Sequence, residues 1–410
     1  MNILHLVAGA LTSGAARGAY WLHKAQREIG IDSVLLRNGN DKINDLSVID
    51  HRTIPLLKYQ NAFSSIFKNI PLRFYPKRDR RFFSTGFEGI NFKKLPAFKQ
   101  ADIIHLHWIN GLVAIHTLKK VSKPIVWTIR DMWPLTGGCH YSINCDKYKS
   151  GCGQCPQLNS NQKYDLSRLI VFNKKKYIPN QLQVVGISNW LSSCASSSSI
   201  FSNFPVRTIS NNIDTRSFKP IAKDIAKNIL SLPHDKQILL VGAQRLTNFY
   251  KGFDLFLEAM DKIKDRDIHI VTFGNIEDDI MNKYKNRHTN LGFLSDTIAM
   301  CLAYSAADVF VAPSIMEAFG KTLAEAQACG TPVVCFDATG PKDIIEHKVT
   351  GYKAKPYDSY DLAKGICWIF DQSANDSKKM RLNSRKRAVN LFDSQVIAEK
   401  YKKLYIELLK

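Results

Sequence analysis

No stretch of the 410-residue chain approaches the about 20 consecutive apolar residues that a membrane-crossing helix needs, so no spanning segment is expected. Nor does a basic region precede the first apolar run. MNILHLVAGALTSG reads as a buried strand entering a Gly-containing loop, not as a signal peptide, and a cytoplasmic location is the expectation. Acidic residues are scarce, 36 Asp+Glu against 57 Lys+Arg, for a formal net charge of +21. The excess sits early: residues 1–205 carry 27 basic and 11 acidic side chains, residues 206–410 carry 30 and 25. Such a surface favours polyanions, whether nucleic acid, anionic lipid or a phosphate-bearing substrate. No helix-turn-helix, RRM or KH pattern accompanies the charge, so nucleic acid is not an expected partner. Apolar residues are not lacking. At 45% hydrophobic and 23% charged the composition excludes extended disorder, and the length suits two or three domains.

Short apolar runs alternate with amphipathic segments: NILHLVAG (2–9), DSVLLR (32–37), DIIHLHWI (102–109), PIVWTI (124–129) and QVVGIS (183–188). The rhythm restarts with QILLVGA (237–243), HIVTFG (269–274), DVFVAP (308–313), PVVCFD (332–337) and GYKA (351–354). This is the βαβ alternation of parallel sheets covered by helices, so an α/β chain of two Rossmann-like, doubly wound domains is expected. The expected division is an N-terminal domain 1–205, a second domain 206–390 and a terminal helix 391–410 packing back on the first. The turn formers Asn211, Asn212, Asp214 and Pro220 mark the boundary segment 204–220. Met380, Leu382, Ala388, Leu391, Ile397, Tyr401, Leu404 and Leu408 give the end of the chain an apolar helical stripe with a basic opposite face.

Residues 55–100 break the rhythm, with ten basic residues against Asp79 and Glu88, interleaved with Phe63, Phe67, Phe74, Tyr75, Phe82, Phe83, Phe87 and Phe92. Two readings stand: a solvated face over a small satellite cluster, or a surface docking on anionic lipid.

The segment DVFVAPSIMEAFGKTLAEAQACGTPVVCF (308–336) is the most informative. A buried strand ends at Pro313, a helix begins near Gly320 or Lys321, and Gly330 is placed as its left-handed stop. The helix start therefore opens at the carboxyl edge of the sheet, where backbone N–H groups near Phe319, Gly320, Lys321, Thr322 and Leu323 suit an anion. Glu317 and Glu325 are placed to accept hydroxyl hydrogen bonds beside it. As a bare pair, the two acids read equally as a helix-dipole partner and a surface residue.

Glu317 and Glu325, with their setting PSIMEAFGKTLAEAQACGTPVV, form an E-x7-E pattern that resembles the retaining glycosyltransferases of family 4, which have the GT-B fold of two Rossmann-like domains facing a cleft. SNNIDTRSFKP (210–220) resembles the family's interdomain signature, with Asn212 where glycine is usual. VGAQRLTNFYKGFDLFLEA (241–259) resembles its phosphate-binding loop, and LGFLSD (291–296) its donor-domain core. The resemblance implies transfer of a sugar from a nucleoside diphosphate donor to a lipid-linked or oligosaccharide acceptor, as in bacterial surface polysaccharide synthesis. It implies that Glu325 holds the ribose, Glu317 the transferred sugar, and Lys251 with Arg245 the diphosphate. Arg245 lies one residue further from its Lys than the common spacing. Gly14, in the loop after the first strand, would let backbone approach the donor, with Arg17 a further contact. No catalytic metal is expected, and the basic first half suits an anionic membrane surface. A nucleotide-sugar epimerase or an inactive scaffold of the same fold is the rival reading, distinguished by whether an acceptor is needed for turnover.

Two features depart from plain family members. In TIRDMW (128–133), Arg130 stands before Asp131 where the family often has His. Arginine cannot serve as a base near neutral pH, so a histidine role is either unnecessary or falls to His105 or His107. Arg130 could supply positive charge at the reaction centre or simply pair with an acid such as Asp131. In GGCHYSINCDKYKSGCGQCP (137–156), Cys139, Cys145, Cys152 and Cys155 follow a C-x5-C-x6-C-x2-C spacing. A structural zinc, two disulfides and free thiols are all open readings, and His140 could replace one Cys. The resemblance to a subset of family 4 with a Cys-rich insertion implies a structural role. The other five cysteines lie in apolar segments and read as buried small hydrophobes.

Overall fold

A computed structural model describes residues 1–12, 14–55, 57–60, 70–276 and 278–410. The chain divides into two compact units, one made of Met1–Ser210 with Ile397–Lys410, the other of Asn211–Val396.

The first unit is built on a seven-stranded sheet in the order β3-β2-β1-β4-β5-β6-β7, every pair parallel. Its strands are β1 (Asn2–Val7), β2 (Asp32–Arg37), β3 (Val48–Asp50), β4 (Ile103–Leu106), β5 (Ile125–Ile129), β6 (Leu182–Gly186) and β7 (Val206–Thr208). The three strands β4, β5 and β6 are buried at every residue, which is why they read as unbroken apolar runs and not as alternating ones. The C-terminal helix Ser394–Leu408 returns to this unit. Ile397, Ala398, Tyr401, Leu404 and Tyr405 pack with Ile3, Leu22, Ile103 and Val126 in one buried cluster.

The second unit holds a six-stranded parallel sheet in the order β10-β9-β8-β11-β12-β13. Its strands are β8 (Gln237–Arg245), β9 (Ile268–Asn275), β10 (His288–Asn290), β11 (Val309–Ala312), β12 (Val333–Phe336) and β13 (Gly351–Ala354). Phe253, Phe256, Met260, Leu362, Ile366 and Phe370 from two helices, Phe253–Lys262 and Ser359–Phe370, fill the core against Leu239, Val241, Val309 and Val334. In both sheets the strand order reverses beside the first strand, between β1 and β4 in one and between β8 and β11 in the other. Ligands of open α/β sheets bind outside the carboxyl ends of strands at such a reversal, so each unit presents one candidate position.

Several expectations need correction. The edge strands β3, β7 and β10 are three residues long and mostly half-buried or exposed, so no apolar run announces them. β7 lies inside the segment expected to be linker, and the units divide after Ser210 and Val396, not after 205 and 390. Leu382, assigned to the apolar stripe, is 62% exposed. Of the aromatics in 55–100, Phe63 and Phe67 lie outside the described residues. Phe83 and Phe92 are core residues, Tyr75 and Phe87 pack on a small cluster of Leu72, Phe83, Leu158, Leu166 and Ile170, and Phe74 and Phe82, like Tyr59, are largely exposed. No helix among the described residues is long and apolar enough to cross a membrane.

Candidate active site

In the second unit the loops after β8 and β11 are stitched together. Gly252 has φ +63°, and a Cβ there would sit 2.0 Å from the carbonyl oxygen of Pro313, so only glycine lets the Lys251 turn lie against the end of β11. The Ile315 N–H donates to the Tyr250 carbonyl at 2.9 Å, fastening the second loop to the first. On its other side the Gly340 N–H donates to the Glu317 carbonyl at 3.0 Å, and a Cβ on Gly340 would meet the Ala318 oxygen at 2.3 Å. Glu317 is thus held from both sides. Its carboxylate accepts from the Lys251 ammonium at 2.5 Å, and both side chains remain partly exposed, at 22% and 32%. A fixed, accessible acid–base pair at the sheet's reversal point is a ready receptor for a ligand carrying both hydroxyls and negative charge.

The helix Lys321–Ala328 starts beside this pair, capped by Gly320 at φ +98° with no side-chain cap. Phe319 and Leu323 are buried core side chains, so any part they take in binding is through backbone alone. The Leu323 N–H is already spent on the Gly320 carbonyl at 3.0 Å, which removes it from the anion site. Lys321 and Thr322 are partly exposed. Glu325, expected to face a crevice, is only 3% exposed. Tyr304 donates its hydroxyl to Glu325 Oε2 at 3.3 Å, and the Lys321 ammonium lies 3.9 Å from Oε1. Burial and the nearby Glu325 push the Tyr304 phenol well up, keeping it a donor. Arg245 ends β8 with an exposed side chain, next to an irregularity in the β8–β9 pairing.

In the first unit Gly14 is the opening residue of the helix Gly14–Glu28, with open space around it, and Arg17 follows one turn in. Among the described residues of the preceding loop, Gly9 is the one with positive φ, at +100°. Within β4 and just past its end, His105 and His107 do not take the place of the missing family histidine. They belong to a buried chain of hydrogen bonds whose direction is forced by Arg130, which can only donate. Arg130 Nε and Nη2 lie 3.4 and 3.3 Å from His107 Nδ1, so His107 carries its proton on Nε2 and donates to His5 Nδ1 at 2.8 Å. His5 then donates to Gln26 Oε1 at 2.7 Å, Gln26 to the Tyr405 hydroxyl at 3.0 Å, and Tyr405 to His105 Nδ1 at 2.6 Å. His105 Nε2 donates to Thr128 Oγ1 at 2.7 Å, which pairs with the Tyr401 hydroxyl at 2.7 Å. Burial holds His105 and His107 neutral, well below the usual imidazole range, and lowers His5 to about 3. Burial also lowers Arg130, to about 10. Among the described residues the His5–His105–His107 group is the one set of three possible metal ligands within 4.8 Å. Every lone pair in it is already used, and Arg130 stands beside it, so it does not suit a cation.

The histidine that Asp131 holds is His140, which the sequence offered only as a substitute metal ligand. Its Nδ1–H donates to Asp131 Oδ2 at 2.6 Å, and its Nε2 accepts from the Ser84 hydroxyl at 2.9 Å. Asp131 also accepts from Trp108 Nε1 at 2.7 Å and from the Trp133 N–H at 2.9 Å. Fifty-six residues separate Ser84 from His140, so no local pattern announces the contact.

Cys139, Cys145, Cys152 and Cys155 line one small cavity with Phe83, Tyr148 and Ser167. The left-handed Gly138, Gly151 and Gly153 turn the chain around it. Burial pushes the Cys139 and Cys152 thiols up to about 12, and the neighbouring cysteine sulfurs raise these two further. The Gln157 and Leu158 N–H groups donate to the Cys155 sulfur. Four converging sulfurs with N–H donors fit a cation that accepts thiolates, although they are not drawn to within 4.8 Å in threes. Of the remaining cysteines Cys194, Cys301, Cys329 and Cys335 are buried and Cys367 half-buried. Lys174, buried beside this segment, donates to the Trp133 and Thr136 carbonyls and lies 3.8 Å over the Trp133 ring; burial lowers it to about 7.

Residues 222–387, most of the second unit, match the family described as glycosyl transferases group 1. The chain is a glycosyltransferase with the GT-B fold of two Rossmann-like domains. It is 24% identical over 362 residues to the putative colanic acid biosynthesis glycosyl transferase WcaC of Escherichia coli, covering 84% of this chain and 85% of that one. It is 29% identical over 209 residues to the N,N'-diacetylbacillosaminyl-diphospho-undecaprenol alpha-1,3-N-acetylgalactosaminyltransferase of Campylobacter jejuni, covering 48% of this chain and 53% of that one. Among solved structures, sucrose-phosphate synthase from Thermosynechococcus elongatus superposes with a TM-score of 0.70 at 20% identity, over 100% of this chain and 99% of that chain. Anabaena HepE in complex with UDP and glucose gives 0.64 at 17% identity, over 98% and 99%.

Proposed function

We propose that the chain is a retaining enzyme that moves one sugar from a nucleoside diphosphate donor to a growing, lipid-linked bacterial surface glycan. The observation that carries this is the Lys251–Glu317 pair, fixed at the reversal point of the second sheet beside an uncapped helix start. The names of the Escherichia coli and Campylobacter jejuni relatives support a polysaccharide and lipid-diphosphate setting. In this reading Lys251, Arg245 and the backbone of Gly320 to Thr322 take the diphosphate, Glu317 the transferred sugar and Glu325 the ribose. The anomeric carbon–phosphate oxygen bond breaks as the acceptor oxygen bonds to the same face, and the acceptor proton passes to the departing diphosphate. The protein's part is orientation and charge stabilisation, so no catalytic metal enters. Arg130, behind His107, contributes positive field without touching substrate, and Asp131 fixes His140. Incubation with a panel of nucleotide sugars should give nucleotide release that depends on a lipid-diphosphate glycan. Release that needs no acceptor, or conversion of the donor sugar alone, favours the epimerase reading instead.

The Cys-rich segment, in this reading, holds one structural zinc through Cys139, Cys145, Cys152 and Cys155. Protein purified without a histidine tag is expected to contain about one zinc per chain, by the four-ligand rule. Four titratable thiols and no zinc would remove the metal.

Attachment to the anionic inner face of the membrane is assigned to a groove of about 760 Å³, lined by Ile70, Phe74, Tyr164, Leu169 and Phe172 with Arg168 and Lys175. Phe74, Tyr164 and Phe172 are 79%, 80% and 60% exposed, a concentration of bare aromatic surface that marks an interaction site. Arg81 is partly committed to Asp79 at 2.5 Å, so the informative charges are Arg73, Lys77, Arg80 and Lys175, all exposed. Wild type should float with anionic vesicles at low salt, and reversing these four to Glu should abolish flotation while sparing transfer to a soluble acceptor analogue. Flotation by the reversed variant would place the contact elsewhere.

A further inference from the structure

We infer that the first unit carries a subsite for a pyranose ring of the acceptor, built on Phe82 and Trp108. The inference rests on reading the chain as a glycan-building transferase and names where the acceptor's sugar lies. Phe82 is a large apolar side chain left 56% exposed, and it stacks on the partly exposed Trp108 with centroids 6.1 Å apart and planes 18° from parallel. Its ring also lies 4.4 Å from His140, so Phe82, Trp108 and His140 form one aromatic surface.

This surface is held rigidly. Trp108 Nε1 donates to Asp131 at 2.7 Å, and Asp131 is in turn fixed by His140 and the Trp133 N–H. A single exposed aromatic needs no explanation, but a stacked pair locked by a buried carboxylate is preorganised, and preorganised aromatic area is what binds at low entropic cost. It lies just past the ends of β4 and β5, beside the β1/β4 reversal where a ligand of this sheet is expected.

A second observation comes from the same loop. Asn110 is 7% exposed, and neither its amide nitrogen nor its carbonyl oxygen has a hydrogen-bond partner among the described residues. A buried carboxamide left unpaired is costly. The apolar C–H face of a pyranose suits the stacked aromatic surface, and its hydroxyls both donate and accept, as an unpaired carboxamide two residues after Trp108 requires.

The test is saturation-transfer NMR on the full chain with the methyl glycosides of glucose, galactose, N-acetylglucosamine and N-acetylgalactosamine, without donor. At least one is expected to receive saturation on its ring protons. Phe82→Ala should cut that signal about fivefold, the scale of an aromatic contact, and Phe82→Tyr should keep it. In turnover, Phe82→Ala should raise KM for the acceptor and leave KM for the donor unchanged. Because Phe82 is exposed, its removal leaves the fold intact, which near-UV circular dichroism would check. Absence of transfer to all four glycosides, or an unchanged signal in Phe82→Ala, overturns the subsite. Nucleoside diphosphate binding, measured on the same samples, separates the two readings: a protein that binds nucleotide but no glycoside loses only the subsite, and one that binds glycoside but no nucleotide loses the transferase reading.

Discussion

Lys251→Ala is expected to lower kcat/KM for sugar transfer by about 10²- to 10³-fold, the cost of removing one charge partner of a developing oxyanion. The expectation follows from how the residue is held. Its backbone is pinned by Gly252 against Pro313, and its ammonium is already aimed by Glu317, so little reorganisation is needed when a diphosphate arrives. Removing the ammonium also frees Glu317, which would then set an uncompensated carboxylate near the diphosphate and weaken donor binding further. Lys251→Arg should recover part of the loss. Both residues are partly exposed, so stability should hardly change. Glu325 calls for a different substitution. Glu325→Ala would leave the Tyr304 hydroxyl without its acceptor inside the core, at about 1–3 kcal/mol, and confuse folding with function. Glu325→Gln keeps an acceptor for Tyr304 while weakening a ribose contact. The measurement is nucleotide release at low and saturating donor; near-wild-type turnover of Lys251→Ala under both conditions would dismiss the proposed diphosphate site.

The setting of Glu317 was legible because its geometry is local, whereas Lys251, 66 residues away, was pointed to only by the resemblance of its loop. A buried strand, a loop, a Gly-initiated helix and a Gly stop appear in the sequence in that order, and strand-end loops at a sheet reversal are where side chains meet a ligand. Burial was not legible in the same way. Whether Glu325 faces solvent depends on Tyr304, from another helix, and whether Phe83 or Phe82 faces outward depends on residues 139 and 108 across the unit. The same limit hid the His140–Asp131 pair. His140 stands next to Cys139, and sequence proximity drew it toward a metal, whereas the fold carries it to the end of β5. Three-residue edge strands such as Val206–Thr208 escaped because their pairing comes from a neighbouring strand and not from their own composition.

The first unit should lose stability steeply as pH falls from 7 to 5. His5 and His23 are buried, and burial lowers them to about 3 and about 4; His105 and His107 are lowered well below the usual range for the same reason. In the unfolded chain each returns to about 6.5. The unfolded state therefore binds more protons at every pH between the two values, and stability rises with pH across that interval. The contribution is fully present above pH 6.5 and is lost progressively below it. At pH 5 each histidine that stays neutral in the fold costs about 2 kcal/mol, from 1.5 units at about 1.4 kcal/mol per unit. Four such residues together approach about 8 kcal/mol, comparable with the whole stability of a typical domain. The effect should fall on the first unit, where all four lie and where Tyr401 and Tyr405 of the terminal helix join the same hydrogen-bond chain. Five of the six tryptophans, Trp21, Trp108, Trp127, Trp133 and Trp190, also belong to it, so tryptophan emission follows this unit directly. Urea titrations at a series of pH values should show a proton uptake on unfolding to which these four histidines contribute nearly one each near pH 5, and which falls by about one in His23→Gln, whose amide can still pair with Ser33 and Ser47. A midpoint that does not move between pH 7 and pH 5 would mean that these histidines are charged in the folded protein.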